Sequence, residues 1–294
     1  MSEPADTRLS VVIPAYRAER TVARAVASAF ASGADEVIVV DDGSDDSTGD
    51  VAVAAGALCV RQENGGASRA RITGSHRATG TFLVFLDSDD ELVPAGVGRS
   101  VEVLAGDPEL AVAAGTVIGT SDGVRRRRFP VRYTPVTTRT LLQRGFGPWP
   151  PAAQVVRAAA FRASQEVDPS PLHPRFADDY EALIRLSMVG GVDVRDDPTC
   201  VYSMAGGKSV RNARDAFVAK EAVRAHYAQH LDIPITPMTE AEISAGAHAR
   251  LARAHAHAGN RVAAAAEWVR CAAANPVGGI SKVVARVRRQ IGRT

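Results

Sequence analysis

Two hydrophobic rhythms alternate along the first hundred residues. Residues 9–13, 36–40, 58–60 and 82–86 are short apolar runs, rich in β-branched and aromatic residues, and read as buried strands. Between them, 18–31 places Val22, Ala25, Val26, Ala29 and Phe30 at helical spacing, and Gly33 closes the helix. Residues 46–55, with Ser44 or Asp45 as cap, and 67–78 predict two more helices. Pro94 opens another, where its missing N–H costs nothing. Apolar strands without polar alternation, separated by helices, need a sheet covered on both faces. This half therefore predicts a doubly wound, mostly parallel α/β unit.

The rhythm changes after residue 110. Residues 110–120 predict a strand, 121–123 a turn, and Arg125 to Arg128 a hairpin tip; 145–151 is a Gly/Pro loop. Residues 177–189 predict a helix, with short strands at 192–194 and 200–204. From Asn212 the chain is Ala/Arg-rich and helical in period, at 213–230, 239–258, 260–274 and 279–291. The expected organisation is a domain over 1–211, with halves 8–105 and 106–211, and a C-terminal helical extension over 212–294.

Charge and cysteine usage narrow the partners. With 35 basic and 33 acidic residues among 294, no basic footprint for nucleic acid is expected. Cys59, Cys200 and Cys271 form no C-x-x-C and suit a reducing compartment. The first residues lack the apolar core of a signal peptide. The longest apolar stretch, near 110–119, is half the ~20 residues of a spanning helix. A cytoplasmic protein is expected.

Ligands of open parallel sheets bind beyond the carboxyl ends of the strands. Here those ends are polar: Pro14, Ala15, Tyr16 and Arg17; Asp41 and Asp42; Asn64, Gly65 and Gly66, then Arg69 and Arg71; and Asp87, Ser88, Asp89, Asp90 and Glu91. In an extended segment Asp87 and Asp89 point the same way and repel unless a cation intervenes. Mg²⁺ or Mn²⁺, shared with substrate phosphates, satisfies such a pair. A solvated acidic turn before the helix at Pro94 satisfies it equally, and spacing alone does not decide.

Four segments in order do more. Leu9 to Tyr16, Val39 to Thr48, Glu63 to Arg71 and Phe85 to Asp90 resemble the family 2 glycosyltransferases, over roughly residues 8–205. The resemblance implies the GT-A fold, a nucleotide-diphosphosugar donor and a bound divalent metal, Mn²⁺ or Mg²⁺. It implies that Pro14, Ala15 and Tyr16 lie along the nucleoside base, and that Asp42, with Asp41 beside it, accepts a hydrogen bond from that base. Asn64 and Arg71 would lie near the nucleotide, with Arg71 facing phosphate. Asp87, beside Ser88, would approach the ribose or metal water, and Asp89 would ligate the metal. Residues 176–186 resemble the family's E-D-x-x-L-x-x-R-L helix start, with Asp in place of the usual Glu at 178. This puts Asp179 at the catalytic-base position of an inverting transfer to a saccharide, lipid-linked or other hydroxyl acceptor, as in cell-envelope polysaccharide, glycolipid or glycoconjugate synthesis. Asp178 is expected to cap the helix.

One feature departs from the pattern. Many relatives carry a His after the late strand; residues 201–211 have none, leaving Lys208 or Arg211 to supply positive charge. A nucleotide-sugar-binding pseudoenzyme and a sugar nucleotidyltransferase remain rival readings. The second would want a Gly-rich loop after the first strand, where Pro14-Ala15-Tyr16-Arg17 has no Gly. His226 and His230 sit one turn apart without an H-E-x-x-H, which favours surface histidines over a zinc helix. Trp149 either stacks on an acceptor sugar or packs the core. Residues 279–294 interleave Lys282, Arg286, Arg288, Arg289 and Arg293 with Ile280, Val283, Val284, Val287 and Ile291. Such a helix either packs on its predecessors or makes peripheral contact with the inner face of an anionic membrane.

Overall fold

The computed structural model describes residues 7–121, 124–204 and 208–276. The chain falls into two compact units, one of residues up to Thr120 and Val124–Ser203, the other of Met204 onward together with Ser121–Gly123. The segment 279–294 and its amphipathic pattern lie outside the described residues.

The first unit is built on one sheet. Strands β1 (Leu9–Ala15), β2 (Glu36–Asp41), β3 (Leu58–Arg61) and β4 (Phe82–Phe85) are parallel, in the spatial order β3-β2-β1-β4. All seven residues of β1 and all four of β4 are buried, as expected of strands read as continuous apolar runs. The crossovers are α1 (Val22–Ala31), α2 (Thr48–Ala54) and α3 (Ala67–Arg77). Helix α2 starts two residues later than the sequence suggests, and neither Ser44 nor Asp45 caps it. Asp46 does that work, accepting from the Thr48 amide at 3.0 Å and its hydroxyl at 2.5 Å. Ser44 instead receives the Arg17 amide at 3.0 Å, and Asp45 pairs with the Arg17 guanidinium.

Beyond β4 come the two-residue β5 (Glu91–Leu92), α4 (Pro94–Gly106) and the long β6 (Leu110–Ser121), which pairs with β7 (Val124–Phe129). Strand β8 (Gln154–Arg157) runs antiparallel to both β4 and β6 and joins the two halves of the sheet. The sequence reading missed it, as it missed α5 (Thr138–Arg144) and α6 (Ala158–Glu166). Helix α7 (Asp178–Val189) follows, then β9 (Gly191–Ser203), one strand where two were expected. Irregular register against β6 lets β9 carry Asp196 to Pro198 through without ending. Trp149 is a packing residue, 8% exposed, whose indole donates to Gln154 Oε1 at 2.8 Å.

The second unit is helical: α8 (Lys208–Arg211), α9 (Ala213–His230), α10 (Glu240–His257) and α11 (Arg261–Ala274). A Thr239–Glu242 capping box opens α10, and the Asn260 side chain caps α11 at the Ala263 amide. Ala245, Ala249 and Cys271 form its small core, flanked by Trp268 and Ala274. Among the described residues no helix is long and apolar enough to cross a membrane.

Close packing of α3 on the sheet depends on Gly74. A Cβ there would stand 2.3 Å from Val12 Cγ1 and 3.1 Å from Val40 Cγ2, both on χ1-restricted side chains. Helix propensity alone makes Gly→Ala stabilising by about 1 kcal/mol. Gly74→Ala should instead destabilise by about 1–3 kcal/mol through overpacking, read from the midpoint of urea unfolding. A raised midpoint would show that the interface yields.

Candidate active site

The parallel strands deliver their carboxyl ends to one edge. Pro14 and Ala15 end β1 buried, and Tyr16 follows, 47% exposed, with the Arg17 guanidinium 5.3 Å from its ring centre. Strand β2 ends in two buried carboxylates that serve its own loops. Asp41 accepts from the Ser44 amide at 2.9 Å and from Arg61 Nη1 at 3.0 Å. Asp42 Oδ1 accepts from Gln62 Nε2 at 2.7 Å and the Gly65 amide at 2.8 Å, and Oδ2 from the Gly66 amide at 2.8 Å. Asn64 Nδ2 adds a bond to the Asp42 carbonyl at 2.9 Å. The loop after β3 is thus clamped to the end of β2, and Gly66, at φ 87°, turns it into α3.

Arg71, on α3, brings distant carboxylates together. Its Nη2 donates to Asp87 Oδ1 at 2.7 Å and its Nη1 to Asp178 Oδ2 at 2.5 Å, joining the end of β4 to the start of α7. The side chain is 13% exposed, and its Nε is buried without a partner. Burial opposes the guanidinium charge, but Asp87, Asp178 and Asp179 outweigh it and raise its pKa. Asp178 is therefore an ion-pair partner and not the cap expected of it. The N-cap position belongs to Ala177, in left-handed backbone at φ 66°, with no side-chain cap.

Asp179 stands beside this bridge. Its carboxyl opens to solvent in a concavity ringed by protein. That crowding, and then the Asp178 charge, push its pKa up to about 6, while Arg71 opposes the shift. The concavity is a cleft lined by Phe85, Phe161, Arg71, Gln154, Asp178 and Asp179. The sequence reading did not anticipate Gln154 or Phe161, which sit on β8 and α6, two of the elements it missed.

Asp87 and Ser88, half-buried, and Asp89, exposed, form a turn after β4 that is closed by the Asp90 amide on the Asp87 carbonyl at 3.0 Å. Asp89 is raised above the usual carboxylate range, first by loss of solvation and then by Asp87. Asp90 turns inward, 2% exposed. Its Oδ1 accepts from the Ser203 amide at 2.7 Å, and its Oδ2 is buried without a partner. Burial, then Asp87, push it up to about 9. Among the described residues no three His, Cys, Asp or Glu side chains gather into a complete metal cage. The donor set still fits a divalent cation. It offers hard oxygen ligands, crowded like charges and one orphaned carboxylate oxygen, suited to an ion that takes its remaining ligands from a diphosphate.

A family model described as Glycosyl transferase family 2 matches residues 10–164, more than half the chain. The chain belongs to glycosyl transferase family 2. Its match to the succinoglycan biosynthesis protein ExoU of Rhizobium meliloti is 40% identical over 106 residues, 34% of this chain and 31% of ExoU. Glycosyltransferase GlyA of Streptococcus pneumoniae is 33% identical over 92 residues, 29% of this chain and 13% of GlyA. The chain thus spans less than a third of the length of either relative. Among solved structures, S. aureus TarS 1–349 in complex with UDP-GlcNAc superposes with a TM-score of 0.58 at 18% identity, covering 85% of this chain and 73% of that one. The mannosyltransferase PcManGT of Pyrobaculum calidifontis, in complex with GDP-Man and Mn²⁺, gives 0.54 at 19% identity, covering 97% and 80%. These likenesses establish the GT-A fold of this family 2 member.

The strain on Asp90 has a measurable sign. A carboxyl whose folded pKa is raised contributes stability that is complete below its ordinary value, near 4, and is lost as pH rises through about 9. Asp90→Asn keeps an acceptor for the Ser203 amide and removes the charge. In EDTA it should melt at least about 2 °C above the parent at pH 8, with the difference vanishing by pH 4. Mn²⁺ should raise the parent's Tm more than the variant's. Identical melting at both pH values would show that Asp90 is not strained by its neighbours.

Proposed function

We propose that the protein transfers a sugar from a nucleotide-diphosphosugar to an acceptor hydroxyl, inverting the anomeric carbon. The observation that carries this reading is the Arg71 bridge. One guanidinium ties Asp87, at the end of β4, to Asp178, at the start of α7, which supports a reading in which Asp179 would stand at the boundary between donor and acceptor. Asp179 would take the proton of the acceptor hydroxyl as its oxygen attacks the anomeric carbon, and the bond to the diphosphate breaks on the opposite face. The cleft walls around it would limit the access of water. Asp89 and Asp87 would hold Mn²⁺ or Mg²⁺, an assignment supported by the Mn²⁺ complex of PcManGT. When bound, the metal neutralises charge developing on the leaving diphosphate. Pro14, Ala15, Tyr16, Asp41, Asp42 and Asn64 would form the nucleoside end.

The relatives bear on the setting. ExoU is a succinoglycan biosynthesis protein, and the acceptor proposed here is correspondingly a saccharide or a lipid-linked saccharide of the cell envelope, met at the cytoplasmic face of the membrane. The domain division proposed remains 1–211 for transfer, with 212–294 as a helical extension. A thermal-shift screen of UDP- and GDP-sugars with Mn²⁺ tests the donor class, since a ligand at 100 times its Kd stabilises by ~2.7 kcal/mol. Binding without release of nucleoside diphosphate, with or without Mn²⁺ and across a panel of saccharide acceptors, would favour the non-catalytic rival.

The base has a pH signature. A carboxylate with its pKa near 6 is protonated and inert below that value. The rate should therefore fall tenfold per pH unit on the acid side of about 6. Asp179→Asn should lower turnover by about 10²–10⁴-fold and leave nucleotide affinity within a few-fold. If nucleotide affinity collapses in a folded variant, Asp179 belongs to the nucleotide site.

A further inference from the structure

One wall of the cleft is a segment without regular structure, held by buried charges that the proposed chemistry does not use. Residues 167–177 run between α6 and α7. Glu181, 3% exposed, accepts the Leu172 amide at 2.7 Å and the His173 amide at 3.1 Å. Arg185, 1% exposed, donates to the Ser164 carbonyl at 2.5 Å, to the Val167 carbonyl at 2.7 Å and to the Pro169 carbonyl. Glu181 and Arg185 follow Asp178 at intervals of three and four, so the three share one face of α7. Burying a carboxylate and a guanidinium is costly unless each is hydrogen-bonded, and here both are satisfied by the backbone of this wall.

The wall is also set in an uncommon conformation. His173 has φ 48°, a left-handed conformation that only a few per cent of non-Gly residues adopt, His more readily than most. The Glu181 carboxylate holds it there. The His173 side chain is exposed and lines the cleft with Asp179, Arg71 and Phe161. If Asp179 is the base, the anomeric carbon must come within a few ångströms of it, and the sugar ring then occupies this cleft. A ring with one apolar face and a rim of hydroxyls matches a cleft lined by Phe85 and Phe161 together with an imidazole, which can donate or accept.

We propose that Glu181 and Arg185 are positioning residues that hold 164–173 as a preformed wall, and that His173 is the member of that wall that reads the hydroxyls of the transferred sugar. This inference rests on the donor assignment above. The test uses the full chain with Mn²⁺, and calorimetric titration with UDP against UDP-glucose and UDP-GlcNAc, and with GDP against GDP-mannose. His173→Gly removes the imidazole while Gly accepts φ 48°, so the wall keeps its shape. It should weaken the nucleotide-sugar that binds the parent by tenfold or more and leave the matching nucleoside diphosphate within twofold. Glu181→Ala should lose the same discrimination, and Glu181→Gln, which retains one acceptor oxygen, should recover part of it. A purely structural role would lower Tm without changing the ratio of the two affinities. An unchanged ratio in His173→Gly, or equal loss of both ligands, overturns the inference, and His173→Gly decides it should Glu181→Ala not fold. A parent chain that binds no nucleotide-sugar overturns the donor assignment itself, a distinguishable result.

Discussion

The site depends on how one buried positive charge is shared among too many negative ones. Asp87, Asp89, Asp90, Asp178 and Asp179 meet at one sheet edge, and Arg71 pairs with only Asp87 and Asp178. Three carboxyls that it does not pair with hold their protons more tightly than an ordinary carboxylate does. Asp89, Asp90 and Asp179 all rise, each first through loss of solvation and then through a neighbouring carboxylate. Removing one partner of a buried pair typically costs 3–5 kcal/mol, because the charge left behind is uncompensated. The bridge therefore fixes geometry as well as charge. It locks α3, the end of β4 and the start of α7 into one arrangement, with contacts across 16 and 107 residues of sequence.

That arrangement is affordable because the strands beneath it are rigid and apolar. Three of the four parallel strands, β1, β2 and β4, bury Val11, Val12, Ile13, Ile38, Val39, Leu83 and Val84 almost completely, while β3 at the sheet edge stays partly exposed. The carboxylates that close β2 sit at the strand end, where Asp41 and Asp42 find partners close at hand. Asp42 shows the economy of this layout: one carboxylate satisfies a side-chain amide and two backbone amides and so fixes a loop that lacks regular structure. Both of its oxygens are engaged within the protein. A base-reading role, as the family resemblance implies for Asp42, would need one of these bonds to be exchanged or shared on binding.

Sequence pattern revealed the parts of this fold that obey a period. The parallel strands and their crossovers were legible because burial on both faces forces continuous apolar runs, and the helices of the second unit because their caps and Pro breaks are local. Strand β8 was not legible, since four residues, Gln154 to Arg157, give no period to count. The unity of β9 was hidden because Asp196, Asp197 and Pro198 look like a turn, and only an irregular register against β6 keeps them in the sheet. At the site, the motif residues were legible as a set, but not their partners. An Asp at a helix start is ordinarily a cap. Only the tertiary structure shows that Asp178 faces Arg71 while Ala177 occupies the cap position. Glu181 and Arg185 carry the opposite ambiguity. Charged residues within a helix suggest a solvated face, and here they are among the most deeply buried side chains of the unit.

The phase of α7 connects these observations. A helix places residues three and four apart on one face, so Asp178 cannot point toward Arg71 without Glu181 and Arg185 pointing the same way. Once the start of the helix is committed to the charge bridge, the next two turns must bury a carboxylate and a guanidinium. The end of α6 and the irregular segment that follows it, together 164–173, supply the amides and carbonyls that make this burial tolerable. The shape of the cleft wall is thus a consequence of where the bridge puts the helix, and Asp179, one residue further round, necessarily opens on the space between the bridge and that wall. A substitution that rotated α7 would move the candidate base, the bridge and the wall together. Changes of specificity are for that reason expected to accumulate in the wall's side chains, such as His173, while the helix residues that hold its backbone stay fixed.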